Sequence, residues 1–213
     1  MKVAVSFLKS NYDVDTTIEK INESIADYIH VDMMDGIFVE NKNLELPEVK
    51  RIAKIATKPL DVHLMACSPN KYVREIAKIK GVEYMTIHYE SHRRPIDVIN
   101  MIRHTPMKVG LAINPETNVT KIIPLLNHLD QVLVMSVKPG KGGQAFREEV
   151  LHKIAQLKDI RDQNNYHYII SVDGGINDRT AKLCKRVGAD MLVSGSYVCT
   201  SDDYNEKIKS LQK

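Results

Sequence analysis

The chain is predicted to fold as a (β/α)8 barrel, or TIM barrel, of the α/β class. Three observations predict this fold: eight short apolar runs typical of strands, helical segments between them, and a length of 213 residues, near the lower end of the range of such barrels. We expect one (β/α)8 domain over residues 1–213, because no low-complexity linker or change of composition divides the chain. A doubly wound open sheet is the competing architecture, but its G-x-G-x-x-G motif is absent after the first run.

The predicted elements alternate along the chain. The strands cover residues 3–7, 28–33, 60–64, 84–88, 109–113, 132–136, 168–172 and 191–194. Apolar spacing of i, i+4, i+7 and i+11 defines one face of the first helix: Val14, Ile18, Ile21 and Ile25. A later helix has a similar face: Thr180, Leu183, Cys184 and Val187. Asp178 predicts the start of that helix, and residues 202–211 predict the last one.

Composition argues against two classes of partner. The net charge of +3 comes from 30 basic and 27 acidic residues mixed along the chain. The pI of 8.6 lies below the value above 9 expected of a nucleic-acid-binding domain. No apolar stretch approaches the ~20 residues of a membrane helix, and residues 1–8 are too short for a signal peptide. We expect no nucleic acid and no membrane as partners, and the mild positive charge suits a small anionic substrate.

The chain has three cysteines, Cys67, Cys184 and Cys199. They are odd in number and share no CxxC or finger-like spacing. This pattern predicts reduced thiols and a cytoplasmic location.

Side-chain parity directs a group of polar residues to one place, because successive strand side chains point to opposite faces. Three strands carry sets that share one face: His30, Asp32 and Met34; Asp61, His63 and Met65; and Ser171 with Asp173. Each set lies at the C-terminal end of its strand, where barrel active sites are built. Four residues are therefore expected to converge: His30, Asp32, His63 and Asp173. Two imidazoles and two carboxylates can bind Zn²⁺, Mn²⁺ or Fe²⁺, and the sequence does not choose among these ions.

Simpler interpretations exist for the same residues. A histidine or aspartate at a strand end often caps a helix or makes a local hydrogen bond, but four on matching parity favour a site. Met34, Met65 and Met135 are most simply core residues, since methionine fills irregular gaps. Their placement beside the polar set also suits an apolar shield over a reactive intermediate.

Glycine clusters follow three late strands. They comprise Gly140, Gly142 and Gly143 around Lys141, then Gly174 with Gly175, and finally Gly195 with Ser196. Glycine lets backbone N–H groups approach an anion closely, and the loops after strands seven and eight of barrels commonly bind phosphate. One Gly-Gly pair is usually only a turn, but three clusters on consecutive loops indicate a phosphate site.

Several motifs resemble the ribulose-phosphate 3-epimerase family. They are HVDMMDG-x-F-V, DVHLM, GLAINPET, VLVMSVKPGKGGQ-x-F, VDGGI and GADMLVSGS, in collinear order between residues 6 and 196. The resemblance implies a (β/α)8 barrel holding one divalent metal ion with four protein ligands: His30, Asp32, His63 and Asp173. It implies Asp32 as proton acceptor and Asp173 as proton donor, with the roles exchanged in reverse. It further implies substrate contacts at Ser6 and His63, and a phosphate site along the three glycine clusters.

The implied reaction inverts the carbon next to a ketone, by removing a proton from one face and delivering one to the other. A metal ion acts there as a Lewis acid that stabilises the ene-diolate. The expected substrate is a phosphorylated ketose, with D-ribulose 5-phosphate and D-xylulose 5-phosphate as the leading pair. A ketohexose phosphate such as D-allulose 6-phosphate and a catalytically silent sugar-phosphate-binding barrel are the alternatives. The resemblance also implies a homo-oligomer.

The chain departs from the family pattern around the substrate entrance. Where the family usually reads DGHFVPN, Ile37 replaces the histidine and Glu40 replaces the proline. Residues 42–46 lack the usual threonine–glycine pattern, and Lys141 stands where an apolar or aromatic residue is typical. We interpret Lys141 as a solvated loop residue rather than a new phosphate contact. None of these positions is an implied metal ligand, so the departures concern substrate identity and turnover.

Overall fold

The computed structural model describes residues 1–213 and contains nine strands in one sheet. The strands are β1 Lys2–Ser6, β2 Tyr28–Asp35, β3 Lys42–Asn43, β4 Leu60–Met65, β5 Val82–His88, β6 Lys108–Ile113, β7 Gln131–Met135, β8 Ile169–Asp173 and β9 Met191–Ser194. Eight of them are parallel in the order β1-β9-β8-β7-β6-β5-β4-β2, and pairing of β1 with β2 closes the ring. Strand β3 pairs antiparallel with β2. The predicted (β/α)8 barrel is confirmed, and every predicted strand end lies within about two residues of the observed one.

Helices connect most of the barrel strands. They are α1 Val14–Glu23, α2 Leu46–Ile55, α3 Asn70–Ile76, α4 Pro95–Arg103, α5 Leu151–Asn164, α6 Asp178–Val187, α7 Ser196–Cys199 and α8 Tyr204–Gln212. Between β6 and β7 the structure differs from the predicted alternation, because the chain forms two 3-10 segments, Val119–Lys121 and Ile123–His128. Pro124 accounts for the difference. It has no N–H to donate, and in a continuous α-helix its ring would clash with the carbonyl of Thr120.

Helix α1 is shorter than the apolar spacing predicts. Asp13 caps its start by accepting a hydrogen bond from the Thr16 N–H at 3.0 Å, and the helix ends at Glu23. Ile18 and Ile21 are buried as predicted, but Ile25 lies beyond the helix and is 43% exposed. The prediction that Ile25 belongs to the buried face is therefore wrong.

Helix α6 begins at its predicted start, Asp178, and helix α8 begins two residues after its predicted start. Asn177 caps α6 by accepting from the backbone N–H groups of Arg179 and Thr180, both at 3.0 Å. Asp178, the predicted start, is the first residue inside the helix. Helix α8 starts at Tyr204, after its Asp203 cap, rather than at residue 202. In each case the side chain that accepts the orphan N–H groups sets the boundary.

The barrel separates an outer apolar core from a polar interior. Along β2, Ile29, Val31 and Met33 are buried in the large apolar cluster shared with the helices. The alternate residues His30 and Asp32 are also buried, and Met34, which shares their parity, packs in a separate small cluster with Val39 and Met65. The parity predicted for this strand is thus confirmed, and it turns the polar side chains towards the barrel interior.

No helix has the length and apolarity needed to cross a membrane. The three cysteines are free thiols, of which Cys184 and Cys199 are buried. Burial raises the pKa of each of these two thiols to about 12.

Candidate active site

A cavity of about 530 Å³ opens at the C-terminal ends of the barrel strands. Fifteen of the residues predicted for the site line it together: Ser6, Asp32, Met34, His63, Met65, Met135, Gly140, Lys141, Gly142, Gly143, Asp173, Gly174, Gly175, Gly195 and Ser196. His30 is fully buried and is absent from the lining of this cavity. The structure thus brings the sequence-predicted residues to one end of the barrel.

The four candidate metal ligands form one cluster. One ligand atom from each of His30, Asp32, His63 and Asp173 lies within 4.8 Å of the others. His63 Nδ1 is 3.2 Å from Asp32 Oδ1 and 3.9 Å from Asp173 Oδ2. His30 Nε2 is 3.4 Å from the same Asp32 oxygen. Two nitrogens and two carboxylates within this distance are a donor set that Zn²⁺, Mn²⁺ or Fe²⁺ accepts.

The hydrogen bonding of His30 tests whether the cluster fits a cation. Its Nε2 is buried and has no hydrogen-bond partner, whereas its Nδ1 lies 2.7 Å from Asp61 Oδ2. Metal-binding histidines typically have this arrangement, with one ring nitrogen held by a carboxylate and the other directed at the ion. Gln131 Nε2 in turn donates to Asp61 Oδ1 at 3.4 Å. These residues fit a divalent metal ion.

The two aspartates of the cluster have different electrostatic environments. Burial opposes ionisation of Asp32, but the neighbouring imidazoles of His30 and His63, together with the hydrogen bond from His63, outweigh it and lower the pKa of this carboxyl. Burial raises the pKa of Asp173 to about 6, and the neighbouring Asp32 carboxylate adds to the effect. Opposed shifts in a pair of carboxyls are typical of a site with one base and one acid.

Ser6 and the methionines surround this cluster. The Ser6 hydroxyl donates a hydrogen bond to Asp32 Oδ2 at 2.8 Å, so the residue predicted to contact substrate also orients the carboxylate. Met34, Met65 and Met135 are buried side chains in the cavity wall. Their position agrees with both interpretations from the sequence, because they fill the barrel mouth and also give the cavity an apolar wall.

Two glycines allow the loops after β7 and β8 to pack closely against each other. Gly174 and Gly175 have left-handed φ values of +116° and +59°, which side chains disfavour. A Cβ on Gly174 would lie 2.5 Å from a Val137 methyl carbon, and one on Gly175 would lie 2.5 Å from the Phe146 backbone nitrogen. Only glycine lets the loop after β8 approach the loop after β7 this closely, as a backbone-lined anion site requires.

The entrance loop after β2 packs on the loop after β7. Asn41 Nδ2 donates to the Gly140 carbonyl at 2.6 Å, and a Cβ on Gly140 would lie 2.6 Å from the Val39 Cβ. Ile37 points to solvent with 77% exposure, and Glu40 and Lys141 are also exposed. Of the three substituted motif positions, Ile37 and Glu40 do not line the cavity, whereas Lys141 does.

Three residues that support the cluster have no role predicted from the sequence. Asp61 holds His30, and His88 Nε2 lies 2.8 Å from His63 Nε2. Glu90 Oε2 lies 3.4 Å from His88 Nδ1. Burial lowers the pKa of His88 to about 4. The signal for His88 was available, since it ends a predicted strand in the same way as the selected residues do; Glu90 lies beyond the strand and offers no parity signal.

The family is decided by comparison with known sequences. Residues 2–199 match the model of the ribulose-phosphate 3 epimerase family. The chain belongs to this family. A ribulose-phosphate 3-epimerase of Methanocaldococcus jannaschii is 36% identical over 100% of this chain and 90% of its own. That of Bacillus subtilis is 36% identical over 100% of this chain and 98% of its own, and one from Helicobacter pylori is 35% identical over 100% and 97%.

Solved structures of lower sequence similarity agree on the fold. A 3-hexulose-6-phosphate synthase from Salmonella typhimurium superimposes with a TM-score of 0.72 at 15% identity, covering 99% of this chain and 96% of its own. KGPDC from Streptococcus mutans gives a TM-score of 0.72 at 14% identity, covering 99% and 95%. At such identities the likeness concerns the barrel alone. The sequence prediction of an epimerase-type isomerase is confirmed by the family, not by these structures.

Proposed function

We propose that the chain is a metal-dependent 3-epimerase that interconverts D-ribulose 5-phosphate and D-xylulose 5-phosphate. The observation that carries the proposal is the buried cluster of His30, Asp32, His63 and Asp173, with the unpartnered His30 Nε2 directed into it. Membership of the epimerase family supports the choice of reaction and substrate. A silent sugar-phosphate-binding barrel is disfavoured, because binding alone needs no pair of carboxylates with opposed pKa shifts.

Proton transfer is assigned to the two aspartates. Asp32 on β2 and Asp173 on β8 approach the cavity from separate sides of the ring, with β1 and β9 between them. In the forward direction the ionised Asp32 takes the proton from C3, and Asp173 delivers one to the opposite face. Ser6 fixes the Asp32 carboxylate in place. Positioned acid–base groups of this kind typically contribute about 10²–10⁴-fold to the rate.

The four ligand residues would hold the ion beside the reacting carbon. A bound divalent ion supplies Lewis-acid stabilisation of the negative charge that develops on the substrate oxygens, worth several kcal/mol. The walls formed by Met34, Met65 and Met135 keep water away from that charge. Low polarity around the site strengthens its electrostatic interactions.

The glycine loops after β7, β8 and β9 are assigned to the substrate phosphate. All three line the cavity, and the left-handed turn at Gly174 and Gly175 brings backbone close to the loop after β7. Backbone N–H groups in such turns bind phosphate oxygens without a cationic side chain. The phosphate would anchor the sugar so that its C3 lies between the two aspartates.

The substrate assignment is tested by comparing kcat/KM of the metal-loaded protein on D-ribulose 5-phosphate and D-allulose 6-phosphate. We expect a clear preference for the pentulose. A preference for the hexulose would contradict the assignment, and binding of both sugars without turnover would favour the silent barrel. Metal analysis of the same preparation identifies the ion among Zn²⁺, Mn²⁺ and Fe²⁺.

A further inference from the structure

His63 contacts a second imidazole on the side that faces away from the ligand cluster. Its Nε2 lies 2.8 Å from Nε2 of His88, and the two rings stack with centroids 4.9 Å apart and an interplanar angle of 27°. Both side chains are fully buried. The other nitrogen, His63 Nδ1, faces Asp32 and Asp173. One edge of His63 therefore belongs to the cluster, and the opposite edge belongs to His88.

His88 is held in turn by a carboxylate. Its Nδ1 lies 3.4 Å from Glu90 Oε2, and the Glu90 side chain is only 23% exposed. The other oxygen, Oε1, accepts from the Asn114 backbone N–H at 3.0 Å and from the Thr117 hydroxyl. Two donors from the loop after β6 thus fix the Glu90 carboxylate, which leaves Oε2 for His88.

A cation in the cluster would replace the contact of His63 Nδ1 with Asp32 Oδ1, which is 3.2 Å in the structure, and the remaining contacts then fix the hydrogens of the two neutral imidazoles. An ionised carboxylate only accepts hydrogen bonds, so His88 must carry its hydrogen on Nδ1 and present Nε2 as an acceptor. His63 must then carry its hydrogen on Nε2, because two acceptors cannot bond to each other. The lone pair of His63 is left on Nδ1, the nitrogen that faces Asp32 and Asp173.

We propose that Glu90 and His88 are positioning residues that set the tautomer and ring orientation of His63, so that its Nδ1 faces the metal. This inference rests on the metal site of the proposed function. The arrangement parallels that of His30, whose Nδ1 lies against the Asp61 carboxylate. Each of the two histidine ligands is then oriented by a carboxylate, directly for His30 and through an intervening imidazole for His63.

Glu90→Gln is the sharpest variant, because it keeps the size of the side chain and replaces one oxygen by an NH₂ group. The Asn114 backbone N–H cannot reverse its polarity, so the remaining amide oxygen must face it. The NH₂ group then faces His88 Nδ1, which has to become an acceptor. His88 moves its hydrogen to Nε2, and His63 must move its own to Nδ1, the nitrogen meant for the metal.

The experiment measures three quantities on each variant. The Zn²⁺ dissociation constant is obtained by competition with a chelator, the tautomers of His63 and His88 by ¹⁵N NMR of the metal-free protein at pH 8, and the folded state by thermal unfolding. We expect Glu90→Gln and His88→Leu to weaken Zn²⁺ binding by about 10–100-fold. His88→Gln should retain most of the affinity, since its amide supplies an acceptor to His63 and a donor to Glu90. His92→Gln on the same loop is the matched control, with unchanged affinity expected.

Unchanged Zn²⁺ affinity in both Glu90→Gln and His88→Leu would overturn the proposal. Equal losses in His88→Leu and His88→Gln would also overturn it, because the effect would then come from packing. If the wild-type protein binds no Zn²⁺, Mn²⁺ or Fe²⁺, the proposed metal-dependent function fails, and the tautomers alone judge the positioning chain. Hydrogen on His63 Nε2 in the metal-free wild type supports the proposal, and hydrogen on Nδ1 with Nε2 bare contradicts it, because the Asp32 contact would then set the tautomer.

Discussion

At the scale of single residues, Asp32 and Asp173 show how one cluster can supply two opposite proton-transfer roles. Asp32 accepts a hydrogen bond from Ser6 at 2.8 Å and has both ligand histidines beside it, which lower its pKa despite burial. Asp173 has no such partners within 3.5 Å, and burial raises its pKa to about 6. The environment therefore favours an ionised base on β2 and an acid on β8.

Replacing Asp173 by asparagine removes the proposed proton donor while keeping the shape of the side chain. We expect kcat to fall by about 10²–10⁴-fold or more, with a thermal unfolding midpoint close to that of the wild type. Steady-state kinetics in both reaction directions check the expectation. Asp178→Asn, an exposed change at the start of α6, is the control and should keep full activity. Near-wild-type turnover in Asp173→Asn would remove this residue from the mechanism.

At the scale of elements, helix α5 holds the loop that follows β6. Lys153 on α5 is only 4% exposed. Its ammonium group donates to the carbonyls of Asn114 at 3.1 Å, of Thr117 at 2.6 Å and of Pro115. The same loop supplies the two donors that fix Glu90. A buried lysine that does not line the cavity thus stabilises the loop that supports the candidate site.

Lys153→Met tests this support, because methionine fills the space but leaves buried carbonyl groups without a donor. We expect the free energy of unfolding to fall by about 1–3 kcal/mol, as measured by urea denaturation. Lys158→Met on the same helix removes only an exposed ion pair with Asp162, and it should cost about 0.5 kcal/mol or less. Equal effects of the two variants would contradict a special role for Lys153.

The stability of the protein should also depend on pH through Lys153. Burial lowers the pKa of this amine. The folded protein therefore releases the Lys153 proton at a lower pH than the unfolded chain, in which the lysine pKa is about 10.4. Between these two pKa values the unfolded chain binds more protons than the folded protein does. The contribution of Lys153 to the free energy of unfolding therefore rises with pH. Unfolding free energies measured across the alkaline range should rise less, or fall more, for Lys153→Met than for the wild type. Parallel pH profiles would contradict this assignment.

Local periodicity is what made most of the fold and of the ligand cluster predictable. Alternation along a strand depends on the backbone alone, so it selected His30 and Asp32 before any contact was known. The end of α1 before Ile25 depends on how the chain leaves the helix, which apolar spacing does not report. The partnership of His88 and Glu90 with the loop after β6 joins segments about 25 residues apart, and the long-range pairing of β5 with β6 brings these segments together.

At the scale of the whole molecule, closure of the ring between β1 and β2 creates the site. Asp32 and Asp173 are 141 residues apart in sequence, and their strands are not neighbours in the barrel. A cation bound by both would connect opposite parts of the fold. Since such a cation binds the folded state only, it should stabilise the whole barrel.

Removal of the metal is expected to lower the unfolding midpoint. An ion present at 100 times its dissociation constant contributes about 2.7 kcal/mol, which corresponds to roughly 5–10 °C in a chain of this size. Thermal unfolding with and without a chelator measures the difference. His30→Gln, which removes one ligand, should unfold at nearly the same temperature in both conditions. Identical midpoints for the wild type would contradict a metal ion bound by the cluster.

The most direct test of the account follows the proton itself. Metal-loaded protein is incubated with D-ribulose 5-phosphate in D₂O, and deuterium at C3 of substrate and product is measured by NMR. Two-base transfer between Asp32 and Asp173 predicts that the D-xylulose 5-phosphate formed carries solvent deuterium at C3, and that Asp173→Asn forms almost none of this product. Product that retains its original C3 hydrogen, or no exchange with the sugar still bound, would contradict the central claim.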